Sequence, residues 1–173
     1  MTISDYQTAL VTGASSGIGE AVVEDLVKRG LTVHAIARRA DRLEELKEKT
    51  GCVTHILDVR DTEEMIDLFS SIAPDILINN AGVGRAIDST VNANPEDLDQ
   101  TIETNVTAAI HAVRSVTPSM IKNGKGHIVN VGSVAGLYPL SSSVYGASKG
   151  AIHFLSTNLR LELVGTGIRV TEI

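Results

Sequence analysis

Six short apolar runs, rich in β-branched residues, recur along this chain and alternate with longer amphipathic stretches. The runs fall at residues 8–12, 32–36, 53–57, 75–79, 127–131 and 168–173. A strand that is apolar on both faces must be covered on both faces, which a parallel sheet flanked by helices achieves. Helical patterns at 17–28, 41–49, 62–70, 95–121 and 144–164 supply the cover. Right-handed crossovers then give an α/β fold, a doubly wound parallel sheet of six strands. Local signals agree with these bounds. Gly30 stops the first helix, Thr62 reads as the N-cap of the third, and Asn94 caps a long helix that Pro95 opens. Residues 1–173 read as a single domain, without repeat, linker or low-complexity segment. The last apolar run has no covering helix after it, so part of the fold is expected beyond residue 173.

Composition narrows the function classes. Apolar residues make up 43% and charged residues 21%, as in an ordinary soluble domain. No apolar run approaches the ~18 residues that span a bilayer, and the N-terminus does not read as a signal peptide. Cys52 is the only cysteine, which excludes an internal disulfide and fits a reducing cytoplasm. It reads as a small core hydrophobe. The net charge is −6, with no basic cluster beyond Arg38-Arg39, which argues against nucleic acid or an anionic membrane as partner. Aromatic content is 3% and tryptophan is absent, so no base-stacking platform is evident. A phosphorylated small molecule remains open, because one local site can be positive on an acidic protein.

The first run leads directly into Thr12-Gly-Ala-Ser-Ser-Gly-Ile-Gly19 and then a helix. Gly13 suits the tight turn, Gly17 a close approach of backbone to ligand, and Gly19 close packing of helix on sheet. The helix N-terminus then offers free N–H groups and positive dipole charge to a pyrophosphate. The context of strand, glycine turn and helix is the one a dinucleotide site requires, whereas glycine spacing alone would fit a plain connector. The second run ends in Ala37-Arg38-Arg39, with no carboxylate to hold a ribose 2′-hydroxyl. Guanidinium groups there suit a 2′-phosphate, so NADP(H) is favoured over NAD(H). A solvated pair at the start of a helix is the alternative.

Tyr145-Gly-Ala-Ser-Lys149 sets a phenol and an ammonium four residues apart on one helix face. A free tyrosine titrates near pH ~10, and a neighbouring cation favours its phenolate form. Such a pair can hand a proton to a carbonyl or take one from an alcohol. Alone, this spacing is common and often only packing. Ser133, however, follows the fifth run in Val131-Gly-Ser-Val-Ala-Gly136, at the carboxyl edge where parallel sheets bind ligands. There its hydroxyl can hold a substrate oxygen, or merely stabilise a turn. Asn79-Asn-Ala-Gly82 ends the fourth run at the same edge. Ser141-Ser-Ser143 reads as a loop feeding the helix of Tyr145. The histidines at 34, 55, 111, 127 and 153 show no metal-ligand clustering, and ordinary packing or surface roles are expected for them.

From residue 8 to 173 the chain resembles the short-chain dehydrogenase/reductase family. The motifs that carry the resemblance are the glycine turn, Asp58-Val59, Asn79-Asn-Ala-Gly82, Asn105, Ser133 and Tyr145-xxx-Lys149. The resemblance implies a Rossmann fold and interconversion of an alcohol and a carbonyl by hydride transfer. It implies that Tyr145 is the general acid/base, that Ser133 orients substrate, and that Lys149 also binds the nicotinamide ribose. Asn105 would support a proton relay to Lys149. Gly13, Ser15, Ser16, Gly17, Ile18, Gly19, Arg38 and Arg39 would bind the phosphates of the cofactor. Asp58 and Val59 would contact adenine, while Asn80, Ala81 and Gly82 line the nicotinamide side. Members usually form homotetramers or dimers through the helices represented here by 95–121 and 144–164. They also continue for a further segment after the sixth strand.

Within the family, the segments 37–39, 126–133, 144–149, 159–163 and 167–173 are similar to NADP-dependent 3-hydroxy acid (serine-type) dehydrogenases. A small 3-hydroxy acid or other polar alcohol is the expected substrate. A 3-oxoacyl reductase is the alternative, although Val144 stands where such enzymes usually carry asparagine. A dinucleotide-binding regulator without turnover is the reading from a different class. Retention of both Tyr145 and Lys149 speaks against it.

Overall fold

The computed structural model describes residues 2–85, 90–139 and 143–173. The six strands are β1 (Thr8–Thr12), β2 (Thr32–Ala37), β3 (Val53–Ile56), β4 (Ile76–Asn79), β5 (Gly126–Asn130) and β6 (Ile168–Glu172). They form one parallel sheet in the order β3-β2-β1-β4-β5-β6. The chain therefore leaves β1 toward one edge, returns, and crosses to the other side at β4. That reversal between β1 and β4 opens a crevice at the carboxyl ends of the strands.

Helices α1 (Gly17–Lys28) and α2 (Ala40–Thr50) cover one face of the sheet. Helices α3 (Thr62–Ile72), α5 (Ala108–Asn123) and α6 (Ser143–Glu162) cover the other. Strand alternation sorts the core between them. Ala9, Val11, Val33, Ala35, Ile76 and Ile78 pack with Val23, Leu26, Leu43 and Leu46 on the first face, where Cys52 is also buried. Leu10, Ile36, Leu77 and Ile128 pack with Met65, Phe69, Val113, Val116 and Met120 on the second. Truncating a side chain as fully enclosed as Phe69 costs about 3–5 kcal/mol, which is why both layers are needed.

Two expectations change. The N-cap of α3 is Asp61, not Thr62, whose hydroxyl donates instead to the Arg60 carbonyl at 3.3 Å. The long helix expected at 95–121 is two helices, α4 (Pro95–Ile102) and α5, joined through a wide π-turn over Glu103–Thr107. Asn94 does cap α4, its side chain accepting from Glu96 N–H at 3.1 Å, and Pro95 opens it. Of the loop expected at Ser141–Ser143, residues 141 and 142 lie outside the described residues, and Ser143 opens α6. Among the described residues, no helix is long and apolar enough to cross a membrane.

Candidate active site

The glycine turn is a close-packed junction rather than a loose connector. Gly13 and Gly17 take φ +66° and +59°, a region that disfavours any side chain. A Cβ on Gly19 would lie 2.4 Å from the Gly13 carbonyl oxygen, so only glycine lets α1 start this close to β1. Across the switch point, Thr12 Oγ1 accepts from the backbone N–H groups of Asn80 and Ala81, both at 3.0 Å, and donates to Ile78 O. Asn80 Nδ2 returns bonds to the carbonyls of Thr12 and Gly13 at 2.9 and 3.1 Å. Thr12 was missed from sequence because its partners are 66 to 69 residues away.

A cleft of about 420 Å³ lies over this junction. Gly13, Ser15, Ser16, Ile18, Arg38, Arg39, Asp58, Val59, Asn80, Ala81 and Gly82 all line it, as do the unanticipated Ile36, Leu57, Val83 and Thr104. Gly17 and Gly19 form the first turn of α1 behind it. Ser16 occupies the N-cap of α1 without making a side-chain capping bond, so the dipole end faces the cleft. Arg39 reaches over from the end of β2. It donates to Ser15 Oγ at 3.1 and 2.9 Å and to Ser16 Oγ at 2.7 Å. Arg38 lies 3.4 Å from Asp58, which also pairs with Arg60 at 2.7 Å. Burial favours the neutral acid at Asp58, but the bonds and charge of Arg60, with Arg38 behind, hold its carboxyl below the usual range. Phosphate chemistry suits the Arg38-Arg39 side of this cleft, and the apolar walls at Ile36 and Leu57 beside it suit a flat ring.

Beyond Gly82 the cleft meets the residues of the Tyr-Lys pair. A Cβ on Gly82 would sit 3.4 Å from Asn105 Oδ1 and 3.7 Å from Lys149 Nζ, so both converge there. Lys149 is 7% exposed, donates to the Val131 carbonyl at 2.8 Å, and stands 5.9 Å from the Tyr145 ring centroid. Burial lowers the lysine's affinity for its proton, while the charge of Glu172 opposes that. Asn105 projects from the π-turn. Its Oδ1 accepts from Val83 N–H at 2.7 Å, and its Nδ2 donates to Val83 O at 2.9 Å and Ser148 Oγ at 3.0 Å. Ser148 in turn bonds the Tyr145 carbonyl. The asparagine thus ties the cleft wall to the helix that carries the pair.

Ser133 caps a short turn over Val134–Gly136, its Oγ accepting from Ala135 N–H at 3.2 Å. The turn-stabilising role is real, and the hydroxyl hydrogen is still available to donate. Gly136 is a further residue that sequence reading passed over. A Cβ there would lie 2.6 Å from the Lys149 carbonyl carbon, so glycine lets the Ser133 turn dock directly on α6.

Comparison with known proteins shows what the chain as a whole resembles. The family described as short chain dehydrogenase matches residues 7–173. An uncharacterized short-chain type dehydrogenase/reductase of Sinorhizobium fredii, y4eK, is 41% identical over 169 residues, covering 97% of this chain and 68% of that protein. The NADP-dependent 3-hydroxy acid dehydrogenase YdfG of Escherichia coli is 39% identical over 172 residues, covering 95% and 69%. The closed form of a serine dehydrogenase complexed with NADP+ superposes with a TM-score of 0.92 at 37% identity, covering 96% of this chain and 70% of that one.

Proposed function

The chain belongs to the short-chain dehydrogenase family, and from that premise we propose that it interconverts an alcohol and a carbonyl with NADP(H), Tyr145 being the general acid/base. The observation that carries this reading is the continuity of one site. A cleft with a helix N-terminus and Arg39 on its wall extends to Gly82, and Asn105 and Lys149 converge on Gly82 from the helix side. The glycine junction fits a dinucleotide because Gly13 and Gly19 let β1, α1 and Asn80 close together while Gly17 leaves open space at the helix N-terminus. NADP(H) rather than NAD(H) is supported by Arg38 and Arg39 and by the relatives that are NADP-dependent or hold NADP. When bound, the nicotinamide supplies or accepts the hydride.

The residues of this chain handle the proton. Ser133 donates a hydrogen bond to the substrate oxygen and holds it toward Tyr145. Tyr145 gives its phenolic proton to a carbonyl, or takes one from an alcohol. The Lys149 cation favours negative charge on the phenolic oxygen while that proton is away. Asn105 holds the π-turn so that the Lys149 end of the site keeps its shape. The substrate class that similarity favours is a small 3-hydroxy acid. In this reading residues 1–173 act as one domain that holds cofactor and catalytic groups together, in the cytoplasm. Tyr145→Phe tests it. Turnover of NADP+ with a panel of 3-hydroxy acids, serine and secondary alcohols should fall at least about 10³-fold while NADPH binding persists. Undiminished turnover in that variant overturns the mechanism.

A homo-oligomer completes the proposal. Ile110 and Ile121 on α5 and Phe154 and Leu161 on α6 are exposed large apolar residues, the last two 66% and 73% accessible. Helix faces of that kind are usually buried against a second copy. Sedimentation velocity should give a dimer or tetramer that Phe154→Glu weakens.

A further inference from the structure

On β6 the residues facing α6 begin apolar. Ile168 and Val170 both pack on the core beneath that helix. Alternation puts Glu172 next on the same face, where its side chain is only 15% exposed. A carboxylate in that place costs free energy unless it is paired. Its Oε2 is 2.9 Å from His153 Nδ1, and His153 lies one helical turn beyond Lys149. Its Oε1 lies against Gly132, where a Cβ would come within 2.6 Å. Gly132 precedes Ser133, and its N–H donates to the Ile173 carbonyl at 2.8 Å. One carboxylate therefore touches both segments that carry the proposed chemistry, the Ser133 turn and the Lys149 face of α6.

Charge reaches further than contact. Among the described residues, Glu172 is the charged group whose field supports the buried Lys149 cation. The other ionisable neighbours on α6 are Tyr145 and His153. Asn130 at the end of β5 and Gly132 just beyond it carry no charge. On β6, Arg169 and Thr171 point to the opposite face, where both contact His127. We infer that Glu172, braced by His153, is a positioning residue of the proposed oxidoreductase. It seats the Ser133 turn against α6 and places a negative charge on the turn of that helix that follows Lys149. The inference rests on the oxidoreductase reading for its catalytic meaning, and its test does not depend on turnover.

The test is an NMR titration of the Lys149 ε-carbon in lysine-labelled protein, the signal assigned by its loss in Lys149→Arg. Glu172→Gln keeps the shape and removes the charge. Without that charge the cation is harder to hold, so Lys149 should release its proton at a pH lower by about half a unit or more. Glu172→Asp should return the transition toward wild type, and the alkaline limb of turnover should move with it. A Lys149 transition unmoved in Glu172→Gln overturns the inference, even if activity falls uniformly at every pH. If the wild type shows no NADP(H) turnover but the lysine transition moves as expected, the oxidoreductase reading fails and the electrostatic link stands.

Discussion

Arg39 and Arg38 are adjacent and equally charged, yet the structure separates what each should contribute. The Arg39 guanidinium is already held over the glycine turn by Ser15 and Ser16, through bonds of 2.7 to 3.1 Å. A 2′-phosphate arriving there meets a pre-oriented fork, and little rotamer freedom remains to be lost. A net charge-assisted hydrogen bond contributes about 1.5–3 kcal/mol, and about 2 is reasonable at this exposed rim. Arg38 is 53% exposed and engaged with Asp58 at 3.4 Å, so a phosphate must compete with that carboxylate. About 1 kcal/mol is a fair value for it. Arg39→Ala should therefore weaken NADPH binding about 30-fold and Arg38→Ala about 5-fold, by the usual conversion of free energy to affinity. NADH, which has no 2′-phosphate, should change less than about 3-fold in either variant. Titration by dihydronicotinamide fluorescence measures all four quantities, and the chain has no tryptophan to interfere. Equal losses for NADPH and NADH would refute the 2′-phosphate role. A larger loss from Arg38→Ala than from Arg39→Ala would refute the argument from pre-orientation.

Gly19→Ala forces a methyl to 2.4 Å from the Gly13 carbonyl oxygen, and should cost about 3 kcal/mol and roughly 6–12 °C in Tm by differential scanning calorimetry. Gly17→Ala meets no neighbour and is strained only by its φ of +59°, so about 1 kcal/mol is expected there. Acid should destabilise the fold through histidine. His34, His55 and His127 are all shifted down by burial, His34 further by His55 and His127 further by Arg169. The unfolded chain takes up these protons first, so stability is full above about pH 6.5 and falls as pH drops below it. Denaturant midpoints between pH 7.5 and 5.5 should fall less in His34→Gln/His55→Gln than in wild type, and an equal fall would remove this pair from the account.

Most of the fold could be read from the chain because its signals are local. The apolar runs at 8–12 and 32–36 and the glycine turn each report on residues a few positions apart, and β1, β2 and α1 form where those signals lie. The members of the candidate site were legible for the same reason, since Gly13, Arg39, Ser133 and Tyr145 sit at strand ends and helix starts. What the chain did not disclose are the links among them. Thr12 reaches Asn80 and Ala81 across β1 and β4, and Gly136 matters only because α6 passes over it. Neither residue type nor spacing carries that information.

The π-turn at Asn105 is the sharpest case. Buried positions run 101, 104, 105, 108, 109, 112, 113, 115 and 116, the i, i+3, i+4 spacing of one helix face with Ser115 beside it. The widened turn leaves no mark on this period because each side of it meets a different neighbour. Asn105 lies in that turn and bonds Val83 N–H, Val83 O and Ser148 Oγ at once. Those partners lie 22 and 43 residues away. A wide turn costs helix hydrogen-bond geometry, and three bonds from one buried amide offset that cost. The same side chain links the wall of the cleft to the helix of Tyr145 and Lys149. The irregularity and the proposed chemistry therefore share one side chain, at the point where the cofactor cleft and the proposed proton-transfer pair meet.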